Sequence, residues 1–410
     1  MISILPRAGT LYGGCVSQTS TSPAFSSPEH RPPFERVATV DLSAIRHNVS
    51  RIREVVGPAE VMAVVKADAY GHGVLPVARA ALEAGAGWLG AVHVSEALTL
   101  RDAGIDAPLL SWLHTESTDF AAAIAADVDL GVSGWELEPI ASAAVAAGAT
   151  ARVHLKIDTG LGRNGCPAAQ WPELVSRAAQ LQAEGAINVV GVFSHFAVAD
   201  EPERPETDEQ LAAFHAAVSA AEAAGLSIEV RHIANSPALL SRKDTHLDLV
   251  RCGLATYGLS PFEDRSPDDF GLRPAMRLSA TVANAKRVPA GQGVSYGLRW
   301  HTPVATTLGL IPLGYADGIP RIADAGPVRI LGRTYRAVGR VAMDQFVVDL
   351  GPDADPEDFL GAEAVLFGGE GEPSVTEWAE AAGTINYEVV TRISPRVPRH
   401  YVDSEDERHG

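Results

Sequence analysis

The chain has 410 residues, a formal net charge of −18, 46% hydrophobic residues and 20% charged residues. That length allows a sizeable core in more than one domain, while the acidic balance, with no Lys/Arg-rich block to offset it, argues against a phosphate-backbone partner, so no nucleic acid is expected. There is no run of about 18 apolar residues, so no membrane span is expected.

The opening residues Met1 to Arg7 lack the apolar segment of an export signal. Three cysteines, Cys15, Cys166 and Cys252, are too few for a disulfide framework in a chain this long. Both features point to the cytoplasm. From Ser17 to Pro33 the chain is mostly Ser, Thr and Pro, a composition that buries too little surface to fold, so residues 1–35 are expected to form a disordered tail.

Ordered structure is expected from about Val37. The first helix reads from Ser43 as N-cap, with Ile45, Val49, Ile52 and Val56 at helical spacing and Gly57 as terminator. The period then changes: Val61 to Val65 is a continuous apolar run, as in a buried parallel strand, and Lys66 stands at its end. Further strands are expected near 88–94, 108–113, 128–133, 151–158, 188–196, 228–234 and 247–251, separated by Ala-rich amphipathic stretches. Eight β/α units in about 220 residues match a (β/α)8 TIM barrel, here residues 36–271, whose active site lies at the C-terminal ends of its strands. After Gly271 short β-branched runs appear at 280–282, 304–307, 340–341 and 346–348, and residues 272–405 are expected to form a smaller β-rich domain. The fold class is therefore α/β, a barrel followed by a β-rich domain.

Strand ends are where chemistry is sought. Lys66 opens Lys66-Ala67-Asp68-Ala69-Tyr70-Gly71-His72-Gly73. A desolvated amine there suits Schiff-base formation with a carbonyl, and Tyr70 is placed to cover a flat ring; the plainer reading is a lysine snorkelling from the rim. In His154-Leu155-Lys156-Ile157-Asp158-Thr159-Gly160-Leu161-Gly162-Arg163, Lys156 and Asp158 share a strand face, which a structural salt bridge would also explain, and Arg163 is placed for an anion. Ser194-His195-Phe196, Ala234-Asn235-Ser236 and Arg251-Cys252-Gly253 end the last three strands, where barrels commonly bind phosphate. An isolated Asn-Ser is more often a helix cap; its coincidence with Lys66, His195 and Arg251 gives it weight.

Together with Val294-Ser295-Tyr296-Gly297, Pro312 to Gly318, Gly339 to Asp344 and Gly383 to Glu388, these segments resemble the alanine racemases of the pyridoxal-phosphate-dependent barrel type, from about residue 37 to residue 401. The resemblance implies an isomerase that interconverts L- and D-alanine with pyridoxal 5'-phosphate and no metal. It makes Lys66 the cofactor's Schiff-base lysine and Tyr296 the opposing acid/base, reaching across a homodimer interface. Racemisation needs two bases on opposite faces of Cα. The remaining cofactor-binding positions it implies are Tyr70, His195, Asn235, Ser236, Arg251, Gly253, Leu254 and Tyr387, with Arg163 and the main chain at Met343 for the substrate.

The same resemblance puts Arg251 at the pyridine nitrogen, makes Lys156 a candidate for carbamylation, and matches Asp200, His232, Tyr315, Arg321, Arg340 and Asp344 to an access channel. A tyrosine ordinarily titrates at about pH 10, so a tyrosine base needs positive neighbours, and His195 and Arg251 are the candidates. Asp68, Leu161, Asn164, Cys252 and Ala342 depart from the commoner family pattern without removing a reacting group. Competing readings are a racemase of broader specificity, a decarboxylase of the same fold, which Arg251 disfavours, and a non-catalytic pyridoxal-phosphate carrier, which has no use for Tyr296. D-Alanine as product implies a role in peptidoglycan supply.

Overall fold

The computed structural model describes residues 34–323 and 325–403. The tail expected over 1–35 lies outside the described residues except for its last two, which lead into the first strand, β1 (Arg36–Asp41).

β1 corrects the expected domain boundary. It pairs antiparallel with strand Met276–Thr281 and parallel with Arg399–Val402, so Arg36–Asp41 belongs to the sheet of the second domain. Helix α1 (Leu42–Val56) follows, burying Ile45, Val49, Ile52 and Val56 as the spacing predicts. Its N-cap is Asp41 rather than Ser43: the Asp41 carboxylate accepts from the Ala44 N–H and from the Ser43 hydroxyl, and a carboxylate is the stronger acceptor at a helix N-terminus. Gly57 ends the helix at φ +66.

Eight parallel strands follow: β2 (Glu60–Val64), β3 (Trp88–Ala91), β4 (Leu109–Ser111), β5 (Asp129–Val132), β6 (Ala151–Lys156), β7 (Ile187–Phe193), β8 (Val230–His232) and β9 (Leu249–Cys252). They pair in the order β8-β7-β6-β5-β4-β3-β2-β9, with helices between them. β9 and β8 meet through Arg251 N–H to Ala234 O (3.0 Å) and Asp248 N–H to Arg231 O (3.3 Å), which nearly closes the barrel. Met62, Trp88, Leu110, Val190 and Leu249 fill the interior, while Val61 and Ala63, on the opposite face of β2, join the core between strands and helices. This alternation carries inner-face residues upward to the rim. The row Met62–Val64 arrives at Lys66, and Leu249–Arg251 arrives at Gly253.

The second domain is built on a nine-stranded sheet in which β1 lies between Met276–Thr281 and Arg399–Val402. The expected runs at 280–282, 304–307 and 346–348 fall on or beside strands Met276–Thr281, Thr306–Ile311 and Phe346–Gly351. Arg340-Val341 does not form a strand, because strand Arg333–Val338 ends at Gly339, which turns the chain at φ +71.

Candidate active site

A cleft of about 500 Å³ opens at the C-terminal rim of the barrel, under helix Asn386–Thr391 of the second domain. Its lining includes Lys66, Tyr70, Lys156, Arg163, His195, Asn235, Ser236, Arg251, Gly253, Leu254 and Tyr387. Tyr296 and Met343 are absent from that lining, and both are exposed.

Lys66 is held by an unusual backbone. Ala67, Asp68, Ala69 and Tyr70 all adopt left-handed conformations, φ +53 to +54, none of them glycine. Each such residue costs roughly 1–2 kcal/mol, so surrounding contacts must hold the turn. Glu96 accepts from the Ala67 N–H at 2.7 Å, and the Asp68 carboxylate accepts from the Val74 N–H at 2.7 Å. The Arg399 guanidinium donates to Gly71 O while also holding the carbonyls of Ile393, Ser394 and Val397, pinning the turn to the second domain.

The cleft is cationic inside an acidic protein. Burial, with Arg163 and Arg251 nearby, lowers the pKa of Lys66, against the pull of Glu96. Burial, then Arg251 and Arg163, brings Lys156 down to about 7. Asp158 does not form the salt bridge with Lys156 that strand geometry allows; its carboxylate accepts instead from the loop amides of Gly160 and Gly162, shaping the turn that carries Arg163.

Arg251 is fully embedded. Nη1 donates to His232 Nδ1 (3.1 Å) and His232 O (3.0 Å); Nη2 donates to Ser194 O (2.6 Å), His195 Nδ1 (3.1 Å) and Ile233 O (3.2 Å). Among the described residues, Nε–H is the donor left for whatever occupies the cleft. Two expectations are corrected here. Burial and the Arg251 charge hold His195 neutral, so it cannot supply positive charge to a tyrosine base. His232 is 0% exposed and lies in the barrel interior, not along an access channel.

At the far end, Ser236 Oγ accepts from the N–H of Gly253 (3.1 Å) and Ala255 (3.3 Å), and Asn235 caps helix Ser236–Ser241. Tyr70 packs against Tyr257 with the rings tilted by 31° and their centroids 4.7 Å apart, and its ring lies 6.3 Å from that of Tyr387. Burial raises the pKa of both Tyr70 and Tyr387, keeping their hydroxyls protonated as donors. A Cβ at Gly253 would lie 2.5 Å from Tyr70 Oη, so the hydroxyl approaches the backbone only because this residue is glycine. Sequence reasoning missed Val64, Trp112, Phe193, Ile385, Glu388, Thr391 and Arg392, which also line the cleft. Phe193 was findable, since it shares the inner face of β7 with His195. Among the described residues no group of three or more His, Cys, Asp or Glu is arranged to hold a metal ion.

Family models match the chain twice, as alanine racemase N-terminal domain over residues 40–261 and alanine racemase C-terminal domain over 275–401. Alanine racemase from Beutenbergia cavernae is 55% identical over 373 residues, covering 90% of this chain and 98% of its own. That from Streptomyces coelicolor is 55% identical over 376 residues, covering 89% and 95%. Among solved structures, alanine racemase from D-cycloserine-producing Streptomyces lavendulae superposes with a TM-score of 0.89 at 53% identity, covering 92% of this chain and all of that one. Alanine racemase from Bacillus anthracis with bound L-Ala-P gives 0.82 at 37% identity, covering 91% and 97%. A nearly closed barrel with a rim lysine and a β-rich second domain, matched along its length in this way, is an isomerase of the amino-acid racemase class. The chain belongs to the alanine racemase family.

Proposed function

We propose that this chain acts as a homodimer that racemises alanine with pyridoxal 5'-phosphate, using Lys66 and Tyr296 as its two bases. The observation that carries the reading is Lys66, an amine of lowered pKa facing Arg251 in a cleft whose far end is made of hydroxyls and backbone N–H groups. Those residues fit the cofactor. Ser236, the Leu254 N–H and the hydroxyls of Tyr70 and Tyr387 would form a phosphate cradle, shaped by the Gly253 N–H that donates to Ser236 Oγ, with Asn235 presenting a helix N-terminus beside it.

When bound, the cofactor supplies an electron-withdrawing ring that acidifies the substrate's Cα–H. Lys66 Nζ takes or returns the proton on one face, and burial, with Arg163 and Arg251 nearby, lowers its pKa in the direction that favours the neutral amine a base needs. Tyr296 serves the other face from a second copy of the chain. It is 71% exposed and outside its own chain's cleft, as expected of a residue that completes a neighbour's site. Met343, also exposed, comes with it, its main chain meeting the substrate carboxylate opposite Arg163. Arg251, whose Nη2 donates to His195 Nδ1, would offer its Nε–H to the cofactor's ring nitrogen. A guanidinium cannot accept a proton as a carboxylate would, so Arg251 would leave the ring a weaker electron sink and would disfavour transamination. Lys156, with a pKa of about 7, is available to take up CO2 as a carbamate and so orient Arg163. Two free buried thiols, Cys166 and Cys252, fit a cytoplasmic enzyme, and D-alanine as product fits peptidoglycan supply.

The test is incubation of the purified protein and pyridoxal phosphate with L-alanine in D2O, with serine and lysine in parallel, following D-alanine by chiral chromatography and Cα deuteration by mass spectrometry. Deuterated D-alanine with little signal from the others is expected. Equal rates on all three would replace this reading with a broad-specificity racemase, and bound cofactor without exchange would replace it with a carrier.

A further inference from the structure

Below the cleft, the barrel interior carries a polar chain that the reaction as described does not use. Arg251 Nη1 meets His232 Nδ1 at 3.1 Å, His232 Nε2 meets His154 Nδ1 at 3.0 Å, and His154 Nε2 meets Asp129 Oδ2 at 3.0 Å. Arg152 closes the far end on Asp129, Nε to Oδ1 at 2.7 Å and Nη2 to Oδ2 at 3.2 Å. Asp129 is 2% exposed and both histidines 0%. The chain runs from the N-terminal end of β5, through the middle of β6, to the rim ends of β8 and β9, where barrel interiors ordinarily hold layers of branched apolar side chains.

Its surroundings are shaped to it. Trp88 meets His154 edge-on at 5.6 Å, and Phe193 stacks on His232 at 4.9 Å and 2°. A Cβ at Gly191 would lie 2.6 Å from His154 Nδ1, so a larger residue there would displace the ring from His232.

The hydrogen-bond directions fix the protons. A guanidinium only donates, so His232 Nδ1 must accept and its Nε2 must carry the hydrogen. That hydrogen points at His154 Nδ1, which therefore accepts, and His154 Nε2–H donates to the Asp129 carboxylate. Burial and the Arg251 charge hold His232 neutral, in agreement with this order. The charged groups facing the chain are Asp129 and Arg152, with Asp127 and Glu229 near Arg152 at one end, and Arg251 and Lys156 at the other, where the neutral but titratable His195 also contacts Arg251.

We propose that Asp129, acting through His154 and His232, is a positioning residue for Arg251: the carboxylate at the closed end of the barrel sets one tautomer on both imidazoles and so holds the guanidinium in place at the open end. The inference deepens the proposed function and rests on it. Asp129→Asn makes the dependence visible. Arg152 retains the amide oxygen, which leaves the amide NH2 facing His154 Nε2. Both imidazoles then reverse, and His232 would present N–H against the guanidinium.

The test pairs this variant with the wild-type protein. In wild-type holoenzyme with 15N-labelled histidine, His154 and His232 are expected as neutral Nε2–H tautomers between pH 6 and 8; Nδ1–H or imidazolium at either overturns the proposal without any mutation. In Asp129→Asn holoenzyme, kcat for alanine is expected to fall about tenfold or more with KM little changed, and the pH profile of the bound cofactor's absorption to shift. A folded variant of lowered Tm but wild-type kcat and pH profile would make the chain merely structural and also overturn it. Failure of wild-type holoenzyme to racemise alanine would instead refute the functional reading, leaving the tautomer measurement intact.

Discussion

Lys66 and Tyr296 are built in opposite ways. Lys66 ends a buried strand face, rides on a left-handed turn pinned by Glu96, Asp68 and Arg399, and has its pKa lowered by burial and then by neighbouring cations. Tyr296 lies in a short turn of the β-rich domain, between Ser295 at φ +58 and Leu298 at φ +44, with its ring 71% exposed. Lys66 is prepared by its own chain, whereas Tyr296 is displayed on the surface. Under the proposed function the barrel would supply the cofactor end of a site, and the β-rich domain a surface that becomes catalytic only against another copy.

Substitutions sharpen that contrast. Lys66→Ala is expected to cut racemisation by at least about a thousandfold and to abolish covalent cofactor capture, read by borohydride trapping and mass spectrometry. Retained trapping at another lysine would remove Lys66 from its role. Tyr296→Phe is expected to lower racemisation by about a hundredfold while leaving cofactor capture intact, with Cα deuteration surviving from only one alanine enantiomer. Equal exchange from both enantiomers would show that Tyr296 is not a base.

Gly253→Ala acts on the barrel side alone. Its Cβ would meet Tyr70 Oη at 2.5 Å, and the cofactor Kd is expected to rise about tenfold by fluorescence titration. An unchanged Kd would separate Tyr70 from the phosphate.

The smallest expected effect is on stability against pH. Burial holds His72 and His114 down to about 4, and His195 and His232 well below the ordinary histidine value. The unfolded chain takes up those protons first. Through these histidines stability should therefore fall as pH drops from about 6.5 toward 4. A Tm that stays constant from pH 7 to pH 5 would contradict the assignment of neutral buried histidines.

The barrel was legible because strands such as β2 and β4 announce themselves as short apolar runs at regular spacing, and because polarity begins at their rim ends, as at Lys66 and Arg251. Local pattern could not reveal four other features. β1 joins a sheet whose partners lie more than two hundred residues away, which no local signal encodes. The left-handed turn from Ala67 to Tyr70 contains no glycine, and only Asp68 is a residue type that tolerates this conformation readily. Asp129 and His154 read as ordinary polar positions in a strand; only closure of the barrel brings them onto a line with His232 and Arg251. The placement of Tyr296 outside its own cleft likewise depends on tertiary geometry.

In the proposed homodimer each site takes Lys66 from one copy and Tyr296 from another. Mixing Lys66→Ala and Tyr296→Phe chains under conditions of subunit exchange tests it directly. A shared site predicts recovery to about a quarter of wild-type activity, because half the dimers are mixed and each mixed dimer holds one intact site. No recovery despite demonstrated exchange would mean that both bases act within a single chain.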